Sequence, residues 1–138
     1  MPIHCEIISQ DRQVFSGEVD MVVAPGADGV MGILPHHSTM LSTLKVGELM
    51  VRRGTAEDVF AVSGGLIEVR PDSVVVLADA AERADEIDVA RAEEARRRAE
   101  AKLAAAPAPN SEAYLTAVAA LRRSNLRLTV ARRRTQKK

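Results

Sequence analysis

Glu86-Ile87-Asp88-Val89-Ala90-Arg91-Ala92 is the stretch at which the chain changes period, and its reading decides the fold. Before it, apolar and polar residues alternate as in half-buried strands. After it, alanine, arginine and glutamate recur at helical spacing. The fold class that follows is α+β: an N-terminal antiparallel β-sandwich over residues 1–84 and a C-terminal α-helical hairpin over 85–138.

On the C-terminal side, Ala92, Ala95, Ala99 and Leu103 share one helical face. Asp88 is placed to cap this helix by accepting from first-turn amides, and Ile87 and Ala92 have the spacing of a hydrophobic staple. Pro107-Ala108-Pro109-Asn110-Ser111 ends it, and Asn110 or Ser111 caps a second helix whose stripe reads Tyr114, Val118, Leu121, Asn125, Leu128. So short a connection makes the two helices antiparallel. A seam built mainly of alanine removes little apolar area, at roughly 25 cal/mol per Å². The hairpin is therefore expected to be weak alone and sensitive to any ligand or partner that favours one arrangement.

On the N-terminal side, Ile3–Ser9 and Gln13–Val23 read as strands, with a phase shift near Gly17 that suggests a bulge. Ala24–Gly29 reads as a turn, and Val30–His37 as a short strand running into an irregular segment. Gly47–Arg53 and Glu57–Ser63 form the clearest hairpin; Gly64-Gly65 separates it from Leu66–Arg70, and Ser73–Leu77 follows Pro71-Asp72. Strands at this spacing, with turn signals between them, mark a sandwich or barrel.

Composition bounds the function. Lys+Arg and Asp+Glu are both 19 of 138 residues, so the formal net charge is zero, which argues against a protein that coats nucleic acid or anionic membrane. Aromatics are 2%, too few for stacking platforms. From Ser111 onward, however, Glu112 is the single acid among eight basic residues, so the terminal helix prefers an acidic partner or a phosphate. The single cysteine, Cys5, cannot form an internal disulfide, and no apolar run spans a bilayer; a soluble intracellular protein is expected.

Candidate residues were weighed against plainer roles. Gly64-Gly65 lacks the following lysine of a phosphate loop and reads as a strand connection. His36 and His37 point to opposite faces, with no further ligands near, so no metal site is expected. His37 reads as a hydrogen-bonded wedge at the sandwich. Asp28, Gly29, Val30 and Met31 are either an ordinary hairpin loop or a docking surface. Arg91 and Arg98 share a face of the first helix, as do Arg123 and Arg127 of the second. Either they are solvated and paired with Glu93, Glu94 and Glu100, or they converge on an anion such as a polyphosphate. No nucleophile–base pair has a recognisable spacing.

Three segments carry a resemblance: Gly32-Ile33-Leu34-Pro35-His36-His37, Ser63-Gly64-Gly65-Leu66-Ile67-Glu68-Val69 and Val76-Leu77-Ala78-Asp79. With the two-helix tail, the chain resembles the epsilon subunits of bacterial F-type ATP synthases over essentially its whole length. The resemblance implies a non-catalytic rotor subunit at the cytoplasmic face of the cell membrane, attached peripherally through the complex, with no nucleic acid as partner. Its implied partners are the gamma subunit, the ring of c subunits and the catalytic beta and alpha subunits. Asp28, Gly29, Val30 and Met31 would face the c-ring. The arm would inhibit ATP hydrolysis through Arg122, Arg123, Arg127, Arg132, Arg133 and Arg134. Ile87-Asp88-Val89-Ala90-Arg91-Ala92 matches an ATP-binding motif of some members, implying Glu82, Ile87, Asp88, Arg91, Ala92, Arg98, Arg123 and Arg127 as an ATP set. In that set Ile87, Asp88 and Ala92 face adenine and the arginines face phosphates. ATP, with or without magnesium, would be a regulatory ligand and not a substrate, and no cofactor is required. The alternative is an intracellular β-sandwich adaptor whose basic helical tail binds nucleic acid or an acidic protein.

Overall fold

The computed structural model describes residues 2–136, with side chains as far as Arg133. Eight strands come first: β1 (Ile3–Ile8), β2 (Gln13–Val19), β3 (Met21–Gly26), β4 (Gly29–Ile33), β5 (Met40–Arg53), β6 (Ala56–Arg70), β7 (Ser73–Ala78) and β8 (Ala81–Arg83). They pair in the order β2-β1-β7-β6-β5-β3-β4, with β8 added to β6. All these pairings are antiparallel except β1 with β7, which run parallel.

Two long strands turn this path into a sandwich. β5 and β6 pair from Met40 with Val69 to Arg53 with Ala56. One end of β6 pairs with β7 and the other with β8, so the same strand serves two layers. Gly64 and Gly65 sit at the change of direction with φ of +95° and +135°, a backbone region that L side chains rarely occupy. The glycine pair is thus a bend within one strand and not a break between two. β5 likewise begins at Met40, seven residues before the strand read from Gly47.

The other departures are local. The strand read as Gln13–Val23 divides at Asp20, whose Oδ2 accepts from the Gly54 amide (2.7 Å) while its own amide donates to Arg52 O (2.7 Å). The bulge lies at Val14 and not near Gly17: Ile7 faces Phe15 and Ile8 faces Gln13, leaving Val14 as the extra residue. That is why Val14 and Phe15 are buried in succession. β3 runs through Gly26, so the turn predicted over 24–29 shrinks to Ala27-Asp28.

The inner faces share a core that includes Ile3, Ile7, Leu49, Phe60, Ile67 and Val74. Phe15 meets Phe60 edge to face at 5.8 Å between ring centroids. After β8 a 3-10 turn (Ala84–Glu86) leads to α1 (Val89–Ala105) and α2 (Glu112–Gln136). Asp88 caps α1, its Oδ1 accepting from the Arg91 amide (3.1 Å), and Ser111 caps α2 by accepting from the Tyr114 amide (3.2 Å).

The helices meet along Ala92, Ala99, Ala117 and Ser124, all buried. Ser124, not Asn125, occupies the α2 seam, and Asn125 is exposed. A hydroxyl that donates to the Ala120 carbonyl of its own helix (2.9 Å) leaves room for close approach, which an asparagine side chain would fill. α1 packs chiefly on α2. α2 packs on the sheet: Val130 and Ala131, with Leu126 beside them, join Met50, Val59, Ala61, Ala84 and Ile87 in a second buried cluster.

Candidate functional site

Between the β6–β8 edge and the two helices lies a cleft of about 400 Å³. The sheet side contributes Ser63, Ala80 and Glu82; α1 contributes Arg98 and Lys102, and α2 contributes Arg123 and Arg127. Ala95, Ala99, Ala120 and Ser124 form the floor, and their small size keeps the space open. Helical periodicity explains the grouping, since Arg98 and Lys102, like Arg123 and Arg127, are four residues apart and project from one face.

Four cationic residues and one carboxylate therefore line the cleft. Arg127 is engaged on both sides of its fork, Nε donating to Glu82 Oε1 (2.6 Å) and Nη2 to Glu82 Oε2 (3.2 Å). Arg98 pairs with Glu94 on its own helix (3.2 Å), at an exposed i,i+4 position that contributes little. Among the described residues Arg123 and Lys102 have no carboxylate within ion-pair distance. The cleft thus carries excess positive charge with donors still unused, which suits a multiply charged anion.

The structure gathers Glu82, Arg98, Arg123 and Arg127 of the implied ATP set, and leaves the rest at the start of α1. Arg91 is exposed and does not line the cleft, and the Asp88 carboxylate is committed to its cap. Ile87 is 3% exposed in the cluster beneath α2, and Ala92 is 0% exposed within the helix seam. Sequence reasoning overlooked Lys102, although it follows Arg98 by one turn. It also overlooked Ser63, which a local pattern could not mark.

The basic residues of α2 divide. Arg122, Arg123 and Arg132 are exposed, while Arg133 reaches Glu48 on β5 (3.1 Å). The Arg134 side chain and residues Lys137 and Lys138 lie outside the described residues. At the β3–β4 tip Asp28 is exposed, Gly29 has φ +138°, Val30 is 75% exposed and Met31 packs against the main core. His37 is half-buried, its Nδ1 2.8 Å from Ser38 O. His4 lies 3.2 Å from Glu6 and 3.4 Å from Glu18. Among the described residues no group of three His, Cys, Asp or Glu side chains is placed to hold a metal ion.

Comparison with known proteins completes the description. Residues 2–84 match the family model of the ATP synthase delta/epsilon chain β-sandwich domain, and residues 85–132 that of its long α-helix domain. The ATP synthase epsilon chain of Dehalococcoides mccartyi is 55% identical over 129 residues, covering 94% of this chain and 91% of that one. That of Herpetosiphon aurantiacus is 47% identical over 134 residues, 97% of each. A chain of the Euglena gracilis mitochondrial ATP synthase, solved with OSCP, F1 and c-ring, shares the fold at a TM-score of 0.76 and 24% identity, covering 90% of this chain and 78% of that one.

Proposed function

The chain belongs to the ATP synthase delta/epsilon family as an epsilon-type rotor subunit of that complex, and on that premise we propose a division of labour between its halves. The sandwich is the mounting and the helical hairpin a brake on ATP hydrolysis, held down when ATP occupies the cleft. ATP acts here as a ligand. The observation that carries this reading is that Arg98, Lys102, Arg123 and Arg127 line one cleft with a single carboxylate, Glu82.

Arg98, Arg123 and Arg127 would receive the phosphates, with magnesium accompanying them or not. Adenine at the Ile87, Asp88 and Ala92 end requires the start of α1 to shift, since Ile87 and Ala92 are buried. Arg91 would be drawn in by the same shift. Released, α2 would present Arg122, Arg123, Arg127, Arg132, Arg133 and Arg134 to acidic segments of the catalytic beta and alpha subunits. The weak alanine seam favours such release, because little apolar area opposes it.

The mounting has two candidate faces. Leu41, Leu66 and Leu77 are exposed on the outside of the sheet, Leu66 and Leu77 as directly paired residues. The Leu66–Leu77 pair, with Leu41 across from Glu68 beside it, makes a partly apolar face suited to the gamma subunit. The Asp28–Met31 tip, with Val30 outermost, suits the c-ring. No helix among the described residues is long and apolar enough to cross a membrane; attachment at the cytoplasmic face would come through the complex.

Calorimetric titration of the full chain with ATP tests the ligand reading. Arg123→Ala is expected to weaken binding at least tenfold, and Arg91→Ala less, because Arg91 must first be drawn to the cleft. No binding by the unmodified chain would remove the sensor and leave the family assignment intact.

A further inference from the structure

We propose that Asp58 is a positioning residue for the root of the arm: through Arg83 it keeps β8 on the sheet, so that the arm turns about Asp88 and not about the end of β7. The inference rests on the mobile-arm reading above and needs no ligand. β8 is a weak attachment by itself. Its three residues pair with Phe60, Ala61 and Val62 of β6, and so short a strand, held on one side, opens readily. Ala84 and Ile87 add two buried side chains beyond it.

The side chain of Arg83 strengthens that attachment. Its Nη2 donates to Asp58 Oδ1 (3.0 Å), its Nε lies 3.5 Å from Asp85 Oδ1, and its guanidinium carbon stands 5.6 Å from the centroid of the Phe60 ring. Asp58 has a second partner: its Oδ2 accepts from Arg53 Nη2 (2.9 Å), and Arg53 stands over the Phe15 ring at 5.5 Å. Phe15 and Phe60 are the two phenylalanines of the chain and meet edge to face. One carboxylate therefore gathers two guanidinium groups, each over one ring of the pair, and links β5, β6 and β8 to the aromatic centre of the sandwich. Isolated surface ion pairs contribute little, but a carboxylate only 21% exposed that serves two stacked arginines is a network. Arg133 lines the same hollow, yet its charge is taken by Glu48 (3.1 Å). A further tether of the root, Arg12 Nη2 to Glu86 Oε2 (3.2 Å), is half-exposed and adds less.

The paired arginines make this role distinguishable from packing. With Asp58 neutralised, two like charges face each other across an amide and push β8 away. Removing the Arg53 charge as well should then restore part of what was lost. A side chain that only filled space would show two independent losses.

Amide exchange, followed peptide by peptide, is measured on the full chain, on Asp58→Asn, on Asp58→Asn with Arg53→Met, and on Val130→Asp, which puts a charge into the apolar contact beneath α2. Alkylation of the buried Cys5 reports the sandwich. In Asp58→Asn the β8 amides should exchange about tenfold faster, as the loss of a charged hydrogen bond requires, with Cys5 unlabelled. Adding Arg53→Met should slow them again by about threefold. In Val130→Asp the helices should lose protection while β8 keeps it. Unchanged β8 exchange in Asp58→Asn, labelling of Cys5 there, no recovery in the double variant, or loss of β8 protection in Val130→Asp each overturn the proposal. Helices that stay protected in Val130→Asp would remove the mobile arm, and the pivot with it, whereas the two Asp58 variants still report whether the carboxylate holds β8.

Discussion

The sandwich and the helical hairpin are held by different means. Fully buried side chains of the sandwich include Phe60, Ile3, Ile7, Ile33, Leu49 and Ile67, whereas the buried residues along the helical hairpin are mostly small, Ala92, Ala99, Ala117 and Ser124 with Leu128 the larger exception. Burying a valine, leucine, isoleucine or phenylalanine is worth about 1.5–3 kcal/mol, and an alanine offers only its methyl group. The difference teaches where the molecule can move. α1 packs chiefly on α2, so its position depends on α2, and α2 is held by a short apolar patch around Val130 plus the Arg127–Glu82 and Arg133–Glu48 pairs.

A substitution that damages the sandwich should therefore have the largest effect. A side chain at Gly65 would have to adopt φ near +135°, and its Cβ would collide with the Leu77 carbonyl and come within 2.8 Å of Ala78 Cα. Gly65→Val is expected to cost about 4 kcal/mol or more, because backbone and not a mobile side chain is in the way. Cys5 reports the outcome. Burial first, and then the Glu6 charge, push its thiol from 9.0 up to about 12, so the reactive thiolate is suppressed in the native sandwich. Iodoacetamide should label Gly65→Val quickly at pH 8 and the unmodified chain hardly at all. Because the folded value is the higher one, stability from this group is complete below pH 9 and is lost as pH rises towards 12. Labelling is accordingly run below that window, and slow labelling of Gly65→Val would show that the bend is not essential to the sandwich.

The next effect isolates the arm. Val130 is fully buried against the outer face of β5 and β6, and Val130→Asp would place an unpaired charge there. Roughly 3 kcal/mol of docking is at stake, enough to free a weakly held hairpin. Trypsin should then cut α2 rapidly while Cys5 stays unlabelled. If Cys5 becomes labelled as well, the two halves unfold together and the contrast between them is wrong.

How much of this was legible depends on whether the cause was local. The period change at Asp88 placed the start of α1, because capping and helical spacing are properties of neighbouring residues. The strands around Ile7 and Val74 were readable for the same reason. Gly64-Gly65 misled because a glycine pair looks alike in a connection and in a mid-strand bend; what distinguishes them is β7 passing beside Gly65. Val59-Phe60-Ala61-Val62, buried without alternation, announces a strand covered on both faces, yet its sequence does not say that Val130 and Ala131 cover the outer one. The cleft was partly legible, since face periodicity groups Arg123 with Arg127 and Arg98 with its helix neighbours. The bidentate grip of Glu82 on Arg127, 45 residues apart, arises only when α2 lies on the sheet.

The smallest effect tests the hinge. Asp88 caps α1 through a single bond to the Arg91 amide, and Val89, next to it, is exposed. Asp88→Ala should cost about 1 kcal/mol, the usual worth of an N-cap. Since α1 packs chiefly on α2, that loss should fall on the arm: the first turn of α1 frays and its amides exchange faster, while protection in β5 and β6 is unchanged. Hydrogen exchange resolved by peptide measures both at once. Protection lost equally in the strands would mean that the cap supports the sandwich too, and the seam at Asp88 would then join one cooperative unit instead of dividing two.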